Sequence, residues 1–215
     1  MVELPFRDRK EAGRLLGEKL ALMPGLVRPR VVLALPRGGV PVGAAVARAL
    51  ACPLGVVIAR KLGVPGQPEL AMGAIAGESS FLDEALVRYL GISADEVEAV
   101  IAREAMECSR RTAVYMEGQP ELDWAGQTAV LVDDGIATGS TMIAAARHVR
   151  HRGAKGLVIA VPVAPVKARE RMAAEADEFV TLATPEPFIS VGMWYADFGQ
   201  VSDARVRRIL SSSAW

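Results

Sequence analysis

Asparagine is absent from all 215 residues and glutamine is scarce, while alanine, arginine and proline are abundant. The missing amides are thermolabile side chains, so the bias points to a thermophilic or GC-rich source. Net charge is missing as well, because 25 Lys and Arg balance 25 Asp and Glu. That balance excludes a general nucleic-acid or membrane-surface binder, which needs a basic excess. Any site for an anion must then be built locally, from backbone amides and a few placed cations. Cysteine is limited to Cys52 and Cys108, with no CxxC spacing. These read as free thiols and exclude a disulfide scaffold or a thiolate metal site. No run approaches the ~18 uninterrupted apolar residues of a membrane span. The opening segment, MVELPFRDRKEAGRLL, is charged and lacks an apolar signal core. A cytoplasmic protein is expected, with neither membrane nor nucleic acid as partner.

What is present is a rhythm of apolar runs rich in β-branched residues. Val31–Leu35, Leu54–Ala59, Ala129–Val132, Leu157–Val161 and Glu178–Leu182 are nearly continuous rather than alternating. Such runs suit strands buried on both faces of a parallel sheet. Between them, 40–51, 139–152 and 165–176 read as crossover helices, the last with Pro165 in its first turn. The expected fold is α/β: an open, mostly parallel twisted sheet flanked by helices. A helix over about 8–22 is expected on the outside. Residues 79–118 break the rhythm as a helical insertion, with Ser93 as N-cap of a helix over about 94–113. Residues 184–200 form a small C-terminal hood, all within a single domain of 1–215.

The chemistry concentrates in Ala129-Val-Leu-Val-Asp-Asp-Gly-Ile-Ala-Thr-Gly-Ser-Thr141. Four apolar residues make a strand that ends in two carboxylates, at the edge where open α/β sheets bind ligands. Ala137, Thr138, Gly139, Ser140 and Thr141 then lead into a helix. Small side chains admit backbone amides to a phosphate, and the helix start adds its positive dipole end. Hydroxyls at Thr138, Ser140 and Thr141 can donate to further phosphate oxygens. Asp133 and Asp134, repelled by phosphate itself, suit the hydroxyls of a sugar. No GxxxxGK[ST], GxGxxG or EF-hand loop competes.

This segment resembles the signature of the type I phosphoribosyltransferases, with Ser140 where Gly is common. The resemblance covers most of 30–200. It implies that Asp133 and Asp134 hold the ribose hydroxyls of 5-phosphoribosyl-1-pyrophosphate and that Ala137–Thr141 hold its 5′-phosphate. It also implies Mg²⁺ arriving chelated to the diphosphate, with mostly water elsewhere in its shell. Arg37, Gly38 and Gly39, in Leu35-Pro-Arg-Gly-Gly-Val-Pro41, occupy the position of the family's pyrophosphate loop. Lys61 or Arg60 would be a second cation for the leaving group. Of these, Arg37, Lys61 and Asp134 are the catalytic candidates.

The segment from Pro185 to Phe198 is similar to the hood of hypoxanthine-guanine phosphoribosyltransferases, with Phe188 as the residue stacking on a base and Asp197 as the later acid. Thr184-Pro185 stands where those enzymes carry a Lys, and Ala137 where they carry an Asp, so the acceptor is left open. Trp194 and Tyr195 read equally as a cap on the core. Ser109-Arg110-Arg111 reads either as part of a mobile flap or as the charged end of a solvated helix. Three functions stay open: a phosphoribosyltransferase, a regulatory sensor of phosphoribosyl pyrophosphate or nucleotides, and a sugar-phosphate hydrolase. The last lacks a visible water-activating cluster. The exposed sheet edge and apolar content make a homodimer possible.

Overall fold

The computed structural model describes residues 2–26, 30–119 and 122–212; the extreme ends of the expected 1–215 domain lie outside them. The first half contains α1 (Arg9–Ala21), β1 (Arg30–Ala34), α2 (Gly39–Leu50), β2 (Leu54–Val56), β3 (Ala59–Val64), β4 (Gln67–Ala76) and β5 (Ser79–Leu82). Then follow α3 (Glu84–Leu90), α4 (Ala94–Tyr115), β6 (Thr128–Val132), α5 (Ser140–His151), β7 (Gly156–Val163), α6 (Ala168–Ala173) and β8 (Glu178–Ala183). A 3₁₀ turn (Val191–Trp194) and α7 (Asp203–Ser212) complete the described chain.

The parallel sheet runs in the order β2-β1-β6-β7-β8. Successive side chains of a strand point to opposite faces, and here both faces are buried. Val32, Ala34, Val130, Val132, Val158 and Ala160 join one core with Leu16, Val46, Val206 and Leu210 of α1, α2 and α7. Val31, Leu33, Leu131 and Ile159 join the other with Met142, Val149 and Met172 of α5 and α6. Double burial is why these strands read as unbroken apolar runs. From β1 the chain crosses outward to β2, whereas from β6 it crosses the opposite way to β7 and β8. The β1 and β6 ends, with Ala34 in register with Val132, therefore form the topological switch point.

Three expectations need correction. The run 54–59 is not one strand: pairing with β1 stops at Val56, and Ala59 opens a separate antiparallel sheet in the order β3-β4-β5. An unbroken apolar run carries no mark of where its pairing partner changes. In the same way Ser79–Leu82, placed in the helical insertion, pairs with β4 as a strand. Helix begins only at Glu84, after Asp83 accepts the Leu86 N–H. Ser93 then caps α4 in a reciprocal capping box with Glu96. Within 165–176 only Ala168–Ala173 is α-helical, because tight turns from Pro165 and Val166 come first.

Asp8 caps α1 by accepting the Glu11 N–H at 2.8 Å. The helix lies hard against α2: a Cβ on Gly13 would sit 2.7 Å from the Val42 carbonyl oxygen and 2.9 Å from the Ala45 Cβ. A Gly13→Ala variant is therefore expected to lose about 1–3 kcal/mol to overpacking, although alanine favours an isolated helix by ~1 kcal/mol. Denaturant unfolding measures this, and a gain in stability would contradict the close contact.

Candidate functional site

At the switch point two loops press together. The Leu35 N–H donates to the Val132 carbonyl at 2.9 Å, and the Gly39 N–H donates to the Leu35 carbonyl at 3.1 Å. Gly38 and Gly39 thereby lie directly against the acidic pair. A Cβ on Gly38 would collide with the Asp134 carboxylate, and one on Gly39 would come within 3.0 Å of Asp133 Oδ1 and 2.8 Å of the Val132 carbonyl. Close approach is what demands glycine at both positions. The Pro36–Arg37 peptide is cis.

Asp133 and Asp134 are half-buried at the end of β6, and Asp133 Oδ1 accepts the Asp134 N–H at 2.8 Å. Burial raises the pKa of both carboxyls; for Asp133 the neighbouring Asp134 charge adds to it. For Asp134 the Arg9 guanidinium opposes the rise. Arg9 reaches from the start of α1 and donates through Nε to Asp134 Oδ2 at 2.7 Å, an ion pair with side chains only 11% and 14% exposed. Its other end donates to the Gly199 carbonyl, and its guanidinium lies 3.8 Å from the Phe198 ring centroid. The Tyr195 hydroxyl donates to the Asp134 carbonyl at 2.6 Å, and burial raises its pKa. The hood thus folds back from β8, at the sheet edge, to touch the end of β6.

Beyond the acids, the chain turns sharply. The Ile136 N–H donates to the Val163 carbonyl at 3.0 Å, tying the loop to β7. Ala137 and Thr138 are exposed. Gly139 follows at φ +84°, where only glycine is unstrained. The first turn of α5 has no side-chain cap on its amides, which are the orphan donors that an anion satisfies. Arg171, from α6, donates to the Thr138 carbonyl and sets a cation beside the loop.

The other predicted residues spread more widely. Arg37 lies on the β1 loop, 3.8 Å from Asp203 in a loose, exposed pair. Arg60 is bound to the buried Glu104 of α4. Lys61 is exposed on β3 and makes no hydrogen bond or ion pair among the described residues. Phe188 is half-buried against Trp194, with ring centroids 6.2 Å apart. Asp197 accepts the Gly199 N–H and shapes a turn. Arg110 and Arg111 both pair with Glu107 on their own helix. Sequence reasoning missed Arg9, Arg171 and the Tyr195 hydrogen bond; each contact spans 33 residues or more, and none has a local signature.

Among the described residues no three His, Cys, Asp or Glu converge as metal ligands. The acidic pair fits Mg²⁺ only as a partner to a cation that brings most of its own oxygens. No described helix is long and apolar enough to cross a membrane.

The fold is an α/β open sheet whose ligand edge carries an acidic pair and a small-residue loop. The chain belongs to the phosphoribosyl transferase domain family, whose match spans residues 25–193. A Mycobacterium tuberculosis protein, provisionally named a phosphoribosyl transferase, is 46% identical over 202 residues, covering 94% of this chain and 45% of that one. A ribose-phosphate pyrophosphokinase from Methanopyrus kandleri is 33% identical over 174 residues, 69% of this chain and 59% of its own length. The chain therefore spans about half the length of these curated relatives. The crystal structure of TT1426 from Thermus thermophilus superposes with a TM-score of 0.83 at 44% identity, covering 99% of this chain and 100% of that one.

Raised carboxyl pKa values make the folded protein hold protons that the unfolded chain has released. Stability from the protonated pair is present below the unfolded carboxyl range of about pH 4 and is lost as pH rises. Asp133→Asn, which keeps the acceptor for the Asp134 N–H, is expected to melt higher than the parent at pH 7. The gap closes toward pH ~4; a constant gap across that range would refute the coupling. Arg9→Met is expected to push the Asp134 carboxyl titration further up, read by carbon NMR of the side-chain carboxyl. An unmoved titration would show that the ion pair contributes nothing.

Proposed function

We propose that this chain binds 5-phosphoribosyl-1-pyrophosphate and transfers its phosphoribosyl group to a nitrogen acceptor, releasing pyrophosphate. The observation that carries the reading is the contact at the β1–β6 switch point, where Gly38 packs on the carboxylate of Asp134. In this reading the glycine turn, the acid pair and the uncapped helix start take diphosphate, ribose and 5′-phosphate in turn. Family membership supports the same reading.

In this scheme the amides of Ala137–Thr141, with the hydroxyls of Thr138, Ser140 and Thr141, hold the 5′-phosphate. Asp133 and Asp134 accept hydrogen bonds from the two ribose hydroxyls. The amides of Gly38 and Gly39 and the guanidinium of Arg37 take the diphosphate, with Lys61 as the second cation. Bound Mg²⁺ supplies charge neutralisation on the diphosphate oxygens. The anomeric C–O bond breaks with its electron pair leaving on pyrophosphate, and the acceptor nitrogen forms the new bond and sheds its proton to solvent. Positive charge developing on the sugar lies near the carboxylates, and little acid–base machinery is needed. Phe188, on the hood, offers its ring to a planar acceptor. The helical part of the insertion, from Glu84 onward, and the hood 184–200 serve as covers that limit water.

Pyrophosphate release from the donor compound, assayed against purine bases, pyrimidine bases and orotate, tests the activity. At least one acceptor is expected to give turnover. Binding without turnover for any acceptor would instead indicate a sensor of the compound. Thr138→Ala is expected to weaken donor binding by about tenfold, the value of a charge-assisted hydrogen bond, and unchanged affinity would remove the loop from the site.

A further inference from the structure

We propose that the groove between α1, α2 and α7 is a second anion site, taking a small polyphosphorylated ligand. It lies on the outer side of α2 and encloses about 410 Å³, within the range of about 300–1,000 Å³ typical of small-molecule sites. Four cations rim it: Lys10 from α1, Arg48 from the last turn of α2, and Arg205 and Arg208 from successive turns of α7. Between the cations its lining includes Ala44, Ala45 and Ala204, together with Pro41 and Ile209.

Among the described residues no carboxylate lines this groove, although the chain as a whole is neutral. Several arginines elsewhere on the surface are matched: Arg14 with Glu18, Arg110 with Glu107, Arg147 with Glu175 and Arg150 with Asp177. Lys10, Arg48, Arg205 and Arg208 form no ion pair among the described residues. Nearby acids are engaged elsewhere. Asp203 faces Arg37 and the Tyr115 hydroxyl, Glu11 accepts the Arg7 N–H, and Glu18 holds Arg14. Gathering like charges with no counter-charge raises the local potential, and a multiply charged anion relieves it. Two arginine forks spaced one helical turn apart suit several phosphate oxygens better than a single carboxylate. The Ser202 side chain adds an oxygen at the rim.

The site is distinct from the phosphate loop of Ala137–Thr141 and does not depend on the proposed transfer reaction. The two regions meet at α7, whose Asp203 pairs with Arg37.

Isothermal titration with tripolyphosphate, and in parallel with ATP and GTP, at physiological salt (~0.15 M) tests the proposal. A binding event is expected that weakens by about tenfold or more in Arg205→Ser/Arg208→Ser and in Arg48→Ser. The same event is expected to survive in Thr138→Glu, which places a carboxylate in the other loop. Tripolyphosphate binding as tightly as the nucleotides identifies the phosphate chain alone as the ligand feature; tighter nucleotide binding assigns a nucleoside pocket beside it. Either result supports the site. An event untouched by the groove variants, abolished by Thr138→Glu, or absent at this salt would overturn it. So would retention only of duplex DNA or RNA with no tripolyphosphate binding, because that defines a nucleic-acid face instead.

Discussion

Two carboxylates forced together at the end of a buried strand set the terms for the rest of this molecule. Burial resists the ionisation of both, the Asp134 charge adds to that resistance at Asp133, and the backbone of Gly38 and Gly39 lies close against the pair. The fold answers with three restraints. The Asp134 N–H is given to Asp133, the Tyr195 hydroxyl to the Asp134 carbonyl, and the Arg9 guanidinium to the Asp134 carboxylate. The last two draw remote elements inward. Arg9 requires α1 to sit close on α2, which the glycines at positions 13 and 17 permit. Tyr195 requires the hood to cross back over β7.

That arrangement costs stability and gains a prearranged surface for a polar ligand. Acceptors fixed at the strand end, amides left uncapped at the start of α5, Arg37 on the β1 loop and Arg171 beside the β6 loop are strong only because they do not have to reorganise. A chain of zero net charge can hold an anion in this way, since the work falls to local dipoles and a few guanidinium groups rather than to the overall field. The concentration of cations without ion-pair partners in the α1–α2–α7 groove is the other departure from neutrality, and it lies within one helix of the same loop.

Much of this could be read from the residues. The five parallel strands announced themselves because burial on both faces makes them continuously apolar, and Asp133-Asp134 followed by Thr138-Gly139-Ser140-Thr141 is a local pattern. The helix limit at Ser93 followed from side-chain capping, which is also local. The antiparallel sheet was not legible. β4 begins as exposed Gln67-Pro68-Glu69-Leu70 and becomes buried only at Met72, so it shows neither alternation nor a clean apolar run. Arg9 was invisible for a different reason. It looks like any charged residue in a first helical turn until the fold brings it across 125 positions to Asp134. The engagement of Arg60 was equally invisible, because its partner Glu104 is a buried acid on a helix 44 residues away.

The most direct measurement of the central claim is a crystal structure of the chain soaked with 5-phosphoribosyl-1-pyrophosphate and Mg²⁺. The 5′-phosphate is predicted to lie on the amides of Ala137–Thr141, with both ribose hydroxyls on Asp133 and Asp134 and the diphosphate on Gly38 and Gly39. Density for the compound with its phosphate away from that loop, or with the acidic pair still held by Arg9 and untouched by the sugar, would contradict it.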